Sequence, residues 1–213
     1  MRLGKLLEWI FPPKCLFCAE RRAVNEDGLC ADCAALPTER VFRYFNIKDR
    51  RRAYTLECRA TKRYKGPFCN TLHRFKFQNE AYLAKPLAKQ MALAIKRDQT
   101  YDCITAVPVS RERLKERGYD QSVLLAEALS EYTGIPYRAL LTKTKHNRTQ
   151  HFLPSNEREK NVHGAYAAQD CTGMRVLLVD DILTTGVTAK ECARVLYRAG
   201  AADVSMVCCA LSL

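Results

Sequence analysis

The residues richest in chemistry are Asp180 and Asp181, which follow the apolar run Val176-Leu-Leu-Val179 and precede Ile182-Leu-Thr-Thr-Gly-Val-Thr188. Such a run predicts a buried strand, and ligands of open α/β sheets bind just beyond the carboxyl ends of strands. Two adjacent carboxylates placed there can accept hydrogen bonds from a vicinal diol, such as the 2′ and 3′ hydroxyls of a ribose. Thr184, Thr185, Gly186, Val187 and Thr188 make a hydroxyl-rich turn into a helix, whose free N–H groups and positive dipole end favour phosphate. Gly186 would let the backbone approach that phosphate closely. Diol acceptors followed by a phosphate cradle describe a ribose 5-phosphate site. The chain contains neither a GxxxxGK(S/T) loop nor GxGxxG after a strand, which sets aside a nucleoside triphosphatase loop and a dinucleotide fingerprint.

Cys15-Leu-Phe-Cys18 and Cys30-Ala-Asp-Cys33, eleven residues apart, form the second constellation. A two-residue spacing wraps a tight turn with both sulfurs aimed at one centre, and two such turns complete the tetrahedral set that Zn²⁺ prefers. The connecting segment is polar and ends in Asp27-Gly28, so it suits a turn and supplies little core, a deficit that metal would make good. Two disulfides, or thiols with no shared role, are the competing readings. Glu8 interrupts MRLGKLLEWIF, which reads as a short amphipathic helix and not a secretion signal. Eleven cysteines without such a signal suit a reducing, cytoplasmic setting, where disulfides rarely persist.

The net charge is +12, and residues 40–76 hold twelve basic side chains against two acidic ones. Arg50, Arg51, Arg52, Arg59, Lys62 and Arg63 are interleaved there with Tyr54 and Tyr64. Rings that stack on bases beside cations that track phosphates suit a single-stranded nucleic acid surface. The competing reading is a solvated basic face whose aromatics point into the core.

These residues need a scaffold, and 213 residues allow one main core with a small appendage. No apolar run approaches the roughly 18 residues of a membrane span, which argues against membrane insertion. Strands are expected at Ala53–Cys58, Cys103–Val109, Tyr137–Leu141, Arg175–Val179 and Val204–Ala210. Helices are expected after the first strand, from Pro86 through Ile95, over Gln121–Tyr132 and over Thr188–Ala199, with a charged loop after Val109. That alternation implies an α/β fold, a mostly parallel sheet flanked by helices. The expected division is an N-terminal helix and four-cysteine module in 1–39, and the α/β domain in 40–213.

The stretch Val176 to Thr188 resembles the phosphoribosyl pyrophosphate (PRPP) binding motif of type I phosphoribosyltransferases: four apolar residues, two acids and a threonine- and glycine-rich loop. Together with the four-cysteine module, Val107-Pro-Val109, Arg111-Glu-Arg-Leu-Lys-Glu-Arg-Gly-Tyr-Asp-Gln121, Thr149-Gln150, Arg158, Asn161-Val162 and Gly164-Ala-Tyr166, it makes nearly the whole chain similar to the ComF family of competence proteins. The resemblance implies a type I phosphoribosyltransferase-like fold, with Asp180 and Asp181 on the ribose and Thr184 to Thr188 on its phosphate. It places Arg111, Arg113, Arg117 and Gly118 in a pyrophosphate loop, and Lys145, Arg148 and Gln150 in a mobile loop that closes over the ligand. It also implies Mg²⁺ with PRPP, and single-stranded DNA and DNA-uptake machinery proteins as partners during natural transformation. Two other functions are compatible with the same residues. One is an active phosphoribosyltransferase using a nucleobase or amine, and the other is a zinc-stabilised nucleotide sensor. No residue is assigned a catalytic role.

Overall fold

The computed structural model describes residues 13–36, 39–49, 52–96, 98–144 and 162–212. After the cysteine knuckles and a four-residue helix, α1 (Ala31–Ala34), come two strands, β1 (Val41–Asp49) and β2 (Arg52–Ala60). They pair as an antiparallel hairpin, with Val41 opposite Ala60 and Asp49 opposite Arg52. Helices α2 (Pro67–Phe77) and α3 (Ala84–Ala92) lead to β3 (Cys103–Ala106), α4 (Arg111–Arg117) and α5 (Gln121–Thr133). A small ribbon, β4 (Leu141–Lys143) with β5 (Tyr166–Ala168), precedes β6 (Arg175–Leu183), α6 (Val187–Arg198) and β7 (Asp203–Leu211).

Among the described residues the main sheet has the order β1-β2-β7-β6-β3. β2, β7, β6 and β3 run parallel, and only β1 is antiparallel. From β6 the chain passes through α6 to β7 on one side. From β3 it passes through α5 and returns on the other side, where Tyr137 bridges Ile104 in parallel. The connections therefore diverge between β3 and β6, which opens a crevice beyond their carboxyl ends.

Each face of the sheet has its own apolar cluster, as a doubly covered parallel sheet requires. Val176, Leu178, Val204 and Met206 pack with Cys192, Ala193 and Leu196 of α6. Leu177, Val179 and Val207 pack with Leu87 and Met91 of α3 and Leu125 and Leu129 of α5. Phe17, Leu29 and the buried knuckle cysteines belong to this second cluster, beside Phe68 and Leu72 of α2. Thr71 Oγ1 donates to the Phe17 carbonyl at 2.8 Å, and buried Arg74 donates from Nη1 to the Leu16 and Phe17 carbonyls at 3.1 and 3.2 Å. The knuckles are thus bolted to the helical face of the sheet.

Three expectations change in detail. The charged loop after Val109 is helix α4, because Ser110 Oγ accepts from Arg113 N at its start and Gly118, at φ 77°, closes it in the left-handed conformation. The strand expected at Tyr137–Leu141 is only the bridge at Tyr137, and Leu141 begins β4 elsewhere. The region before Ala53, read only as basic and aromatic, supplies β1. No described helix is long and apolar enough to cross a membrane.

Candidate functional site

Asp180 and Asp181 sit near the carboxyl end of β6, facing the crevice beside β3. The two acids have different partners. Ser122 Oγ, at the start of α5, donates to Asp180 Oδ1 at 2.8 Å. Lys76 Nζ, on α2, lies 2.9 Å from Asp181 Oδ2, and both side chains of that pair are largely buried. Burial, reinforced by the charge of Asp181, pushes the Asp180 carboxyl up to about 7 against the pull of the Ser122 hydrogen bond and Lys76.

Helix α5 is positioned by its own cap. Asp120 Oδ1 accepts from the Ser122 and Val123 amides at 3.1 and 3.2 Å, while Oδ2 accepts from Val109 N at 3.0 Å. One carboxylate therefore ties the chain leaving β3 to the helix that carries Ser122. Val107 N donates to the Val179 carbonyl at 2.9 Å, which holds the same segment against β6.

Beyond the acids, Thr184 and Thr185 are exposed, Val187 and Thr188 are half-buried and Gly186 is buried. Gly186 is the N-cap of α6 at φ 77° and makes no side-chain cap, so the first turn presents backbone N–H groups. A Cβ on Gly186 would lie 2.2 Å from the Phe45 ring, so no side chain fits there. Arg43, also on β1, donates from Nη1 to the Thr184 carbonyl at 3.0 Å and lies over the Phe45 ring. One face of β1 thus backs the threonine turn.

Arg111 and Arg113 are exposed on α4, Arg117 is half-buried and Gly118 exposed at its end. Lys143 at the end of β4 lies over the Tyr166 ring, 5.4 Å from its centroid, and burial together with the nearby Arg113 pushes its pKa down. Lys145, Arg148 and Gln150 lie outside the described residues. Lys76, Ser122 and Lys143 had no signal of their own. Their place at the crevice comes from the way α2, α5 and β4 converge on β6.

The Sγ atoms of Cys15, Cys18, Cys30 and Cys33 all lie within 4.8 Å of one another, and this cluster could hold a metal ion. Cys18 and Cys30 sulfurs are 3.8 Å apart, the edge of a tetrahedron with metal–sulfur bonds of about 2.3 Å. Burial raises the Cys15 thiol, but hydrogen bonds from the Cys30, Cys18 and Phe17 backbone outweigh it and bring its pKa down to about 6. A polarised thiolate among four converging sulfurs fits a divalent cation. Apart from half-buried Cys69, the other described cysteines are buried and suit core roles, with burial pushing Cys58 up to about 12.

The basic segment divides sharply. Lys62 is buried and donates to the Leu36 carbonyl at 3.0 Å, Arg59 pairs with Glu57, and Arg63 pairs with Glu39. Tyr54 stacks on Tyr197 at 4.0 Å between centroids and packs on the core, so its ring is unsuited to a base. Arg52 and Tyr64 are exposed, and Arg50 and Arg51 lie outside the described residues. The exposed aromatics of the hairpin are instead Phe42 and Tyr44, edge to face at 5.7 Å on the solvent face of β1. Lys48 shares that face, and Arg59 lies opposite Phe42 in register. Period-two alternation starting at Val41 is the signal that separates these rings from Phe45.

Residues 119–212 match the phosphoribosyl transferase domain family. DNA utilization protein YhgH of Escherichia coli K12 is 32% identical over 153 residues, 68% of this chain and 67% of that protein. Competence protein ComFC of Bacillus subtilis is 28% identical over 196 residues, 90% of this chain and 75% of that protein. Among solved structures, glutamine PRPP amidotransferase from B. subtilis superposes with a TM-score of 0.43 at 25% identity, covering 63% of this chain and 30% of that one. This chain spans less than a third of that solved chain's length. A doubly wound sheet with its acid pair and threonine turn at the switch point is the architecture of a phosphoribosyltransferase-like protein. Within that class, the chain belongs to the ComF family.

Proposed function

We propose that this protein binds PRPP, or a related ribose phosphate, in the crevice and handles incoming single-stranded DNA during natural transformation. The observation that carries the reading is the convergence of Asp180, Asp181 and the uncapped first turn of α6 at the carboxyl end of β6. A ribose diol would take the place of Ser122 on Asp180 and of Lys76 on Asp181, while its phosphate meets the N–H groups after Gly186. Mg²⁺ would accompany the pyrophosphate, and Zn²⁺ in the cysteine cluster would be structural, within an N-terminal module of residues 1–39. The exposed face of β1, with Phe42, Tyr44 and Lys48, supports a single-stranded DNA path backed by the same strand that holds the threonine turn.

Titration of the protein with PRPP and Mg²⁺, with and without single-stranded DNA and with pyrophosphate release followed across bases and amines, tests this. The expected outcome is saturable PRPP binding and DNA binding without release. Release with one acceptor would instead establish a phosphoribosyltransferase, and absence of PRPP binding would refute the ribose phosphate site.

A further inference from the structure

Glu191, in the middle of α6, is only 3% exposed, and a carboxylate is kept in such a place when its oxygens are engaged. Oε1 accepts from the Gly164 amide at 2.8 Å, while Oε2 pairs with Arg194 Nη1 and lies 3.5 Å from His163 Nδ1. The Arg194 pair stays within the helix, so the bond to Gly164 is what carries Glu191 beyond it. Gly164 turns at φ 68° just before β5, and the adjacent Ala165 carbonyl accepts from Thr144 N, just past β4, at 2.9 Å. The two strands of the small ribbon are therefore tied together at the point where Glu191 ties them to α6. That ribbon stands apart from the main sheet and carries Lys143 opposite Tyr166 in register. Burial pushes the Tyr166 hydroxyl up, the neighbouring Cys192 and Asp180 add to this, and a hydrogen bond with Thr188 opposes it. Lys143 in turn lies near Arg113 of α4. The ribbon thus walls the crevice between the threonine turn and α4.

We propose that Glu191 is a positioning residue for the ribose phosphate site. By accepting from Gly164 it fixes the ribbon to the helix whose first turn meets the phosphate, so that Tyr166 and Lys143 stand at a set distance from Thr188. The site depends on the acceptor oxygen of Glu191 and not on its charge, because the amide of Gly164 is neutral and Arg194 is held within α6. The inference rests on PRPP, or a related ribose phosphate, binding in the crevice.

The test is calorimetric titration of the full chain with PRPP and Mg²⁺, with Tm measured on the same preparations. Glu191→Gln keeps an acceptor for Gly164 and should bind PRPP within about twofold of the wild type. Glu191→Met combined with Arg194→Met removes the acceptor and leaves no buried charge unpaired, so the chain still folds. That variant should bind PRPP about tenfold more weakly, and the Gly164 and Thr144 amides should lose protection from hydrogen exchange. Arg194→Met alone strands a buried carboxylate and should lower Tm, yet leave PRPP affinity unchanged because the Gly164 bond survives. A merely structural role would make affinity follow Tm across the three variants. That pattern, or wild-type affinity in the Glu191→Met/Arg194→Met protein, would overturn the proposal. Failure of the ribose phosphate reading is distinct, since the wild type itself would then not bind PRPP.

Discussion

Lys76 Nζ meets Asp181 Oδ2 at 2.9 Å, so a lysine of the basic segment holds one of the two acids near the carboxyl end of β6. The Lys76 side chain is 21% exposed and that of Asp181 only 9%, which makes the pair neither a surface bridge nor a fully buried one. Lys76→Met would leave a nearly buried carboxylate without its partner, at a cost of about 2 kcal/mol, below the range for fully buried pairs because water still reaches the lysine. Adding Asp181→Asn should recover at least about 1 kcal/mol of that loss. Urea unfolding of both single variants and the double variant measures the coupling, and strict additivity would show that the contact contributes nothing.

Asp180 makes stability and ligand affinity depend on pH in opposite directions. Its folded-state pKa, about 7, lies above the ordinary 3.8, so between those values the folded state binds more proton than the unfolded one. Its contribution to stability is complete below about pH 4 and is lost as pH rises through 7. Ionisation creates the better diol acceptor, so ribose phosphate affinity should rise between pH 6 and 8. Asp180→Asn should flatten the stability profile between pH 4 and 7. Because the ligand phosphates also titrate near 6, the affinity comparison is made against this variant. Parallel profiles for the two proteins would show that Asp180 is not the titrating group.

How far the sequence reveals this molecule depends on the range of each interaction. β6, the threonine turn and α6 are legible because an apolar run, two acids and Gly186 stand in unbroken order. The four cysteines are legible for the same reason, since knuckle spacing is local. α4 is not legible from periodicity, because Arg111–Arg117 contains one apolar residue, Leu114, and only Ser110 and Gly118 mark its ends. Tyr54, expected on the nucleic acid surface, packs on the core instead, because composition alone does not say which face of a strand is buried and successive residues turn to opposite faces. The contacts of Lys76 with Asp181 and Ser122 with Asp180 join residues distant in the chain, and no local pattern encodes them.

Removal of metal should affect more than the cysteine knuckles. Phe17 sits between two of the four cysteines, packs edge to face on Phe68 at 5.2 Å, and offers its carbonyl to Thr71 and Arg74. Chelation, or Cys30→Ser, is therefore expected to lower the Tm of the whole chain and to loosen α2 in hydrogen exchange. Metal analysis of protein prepared under reducing conditions should find one Zn²⁺ per chain. An absence of bound metal, or full protection of α2 after chelation, would contradict this.

The hairpin makes the sharpest prediction for nucleic acid. Phe42 and Tyr44 are each 55% exposed, so replacing either with Ala removes little core, whereas Tyr54 is stacked on Tyr197. If single-stranded DNA lies across β1, Phe42→Ala and Tyr44→Ala should each weaken its binding by about 1–3 kcal/mol with little change in Tm. Tyr54→Ala should do the reverse, lowering Tm while sparing affinity until the hairpin itself loosens. Lys48→Ala with Arg52→Ala should reduce both affinity and its dependence on salt, because each cation withdrawn leaves one fewer phosphate neutralised. Fluorescence anisotropy with an oligothymidylate across a salt series reads all of these effects. Equal affinities and salt slopes for the wild type and the Phe42, Tyr44 and Lys48/Arg52 variants would move the DNA path off this face, and would leave β1 with the single task of backing Gly186 through Phe45.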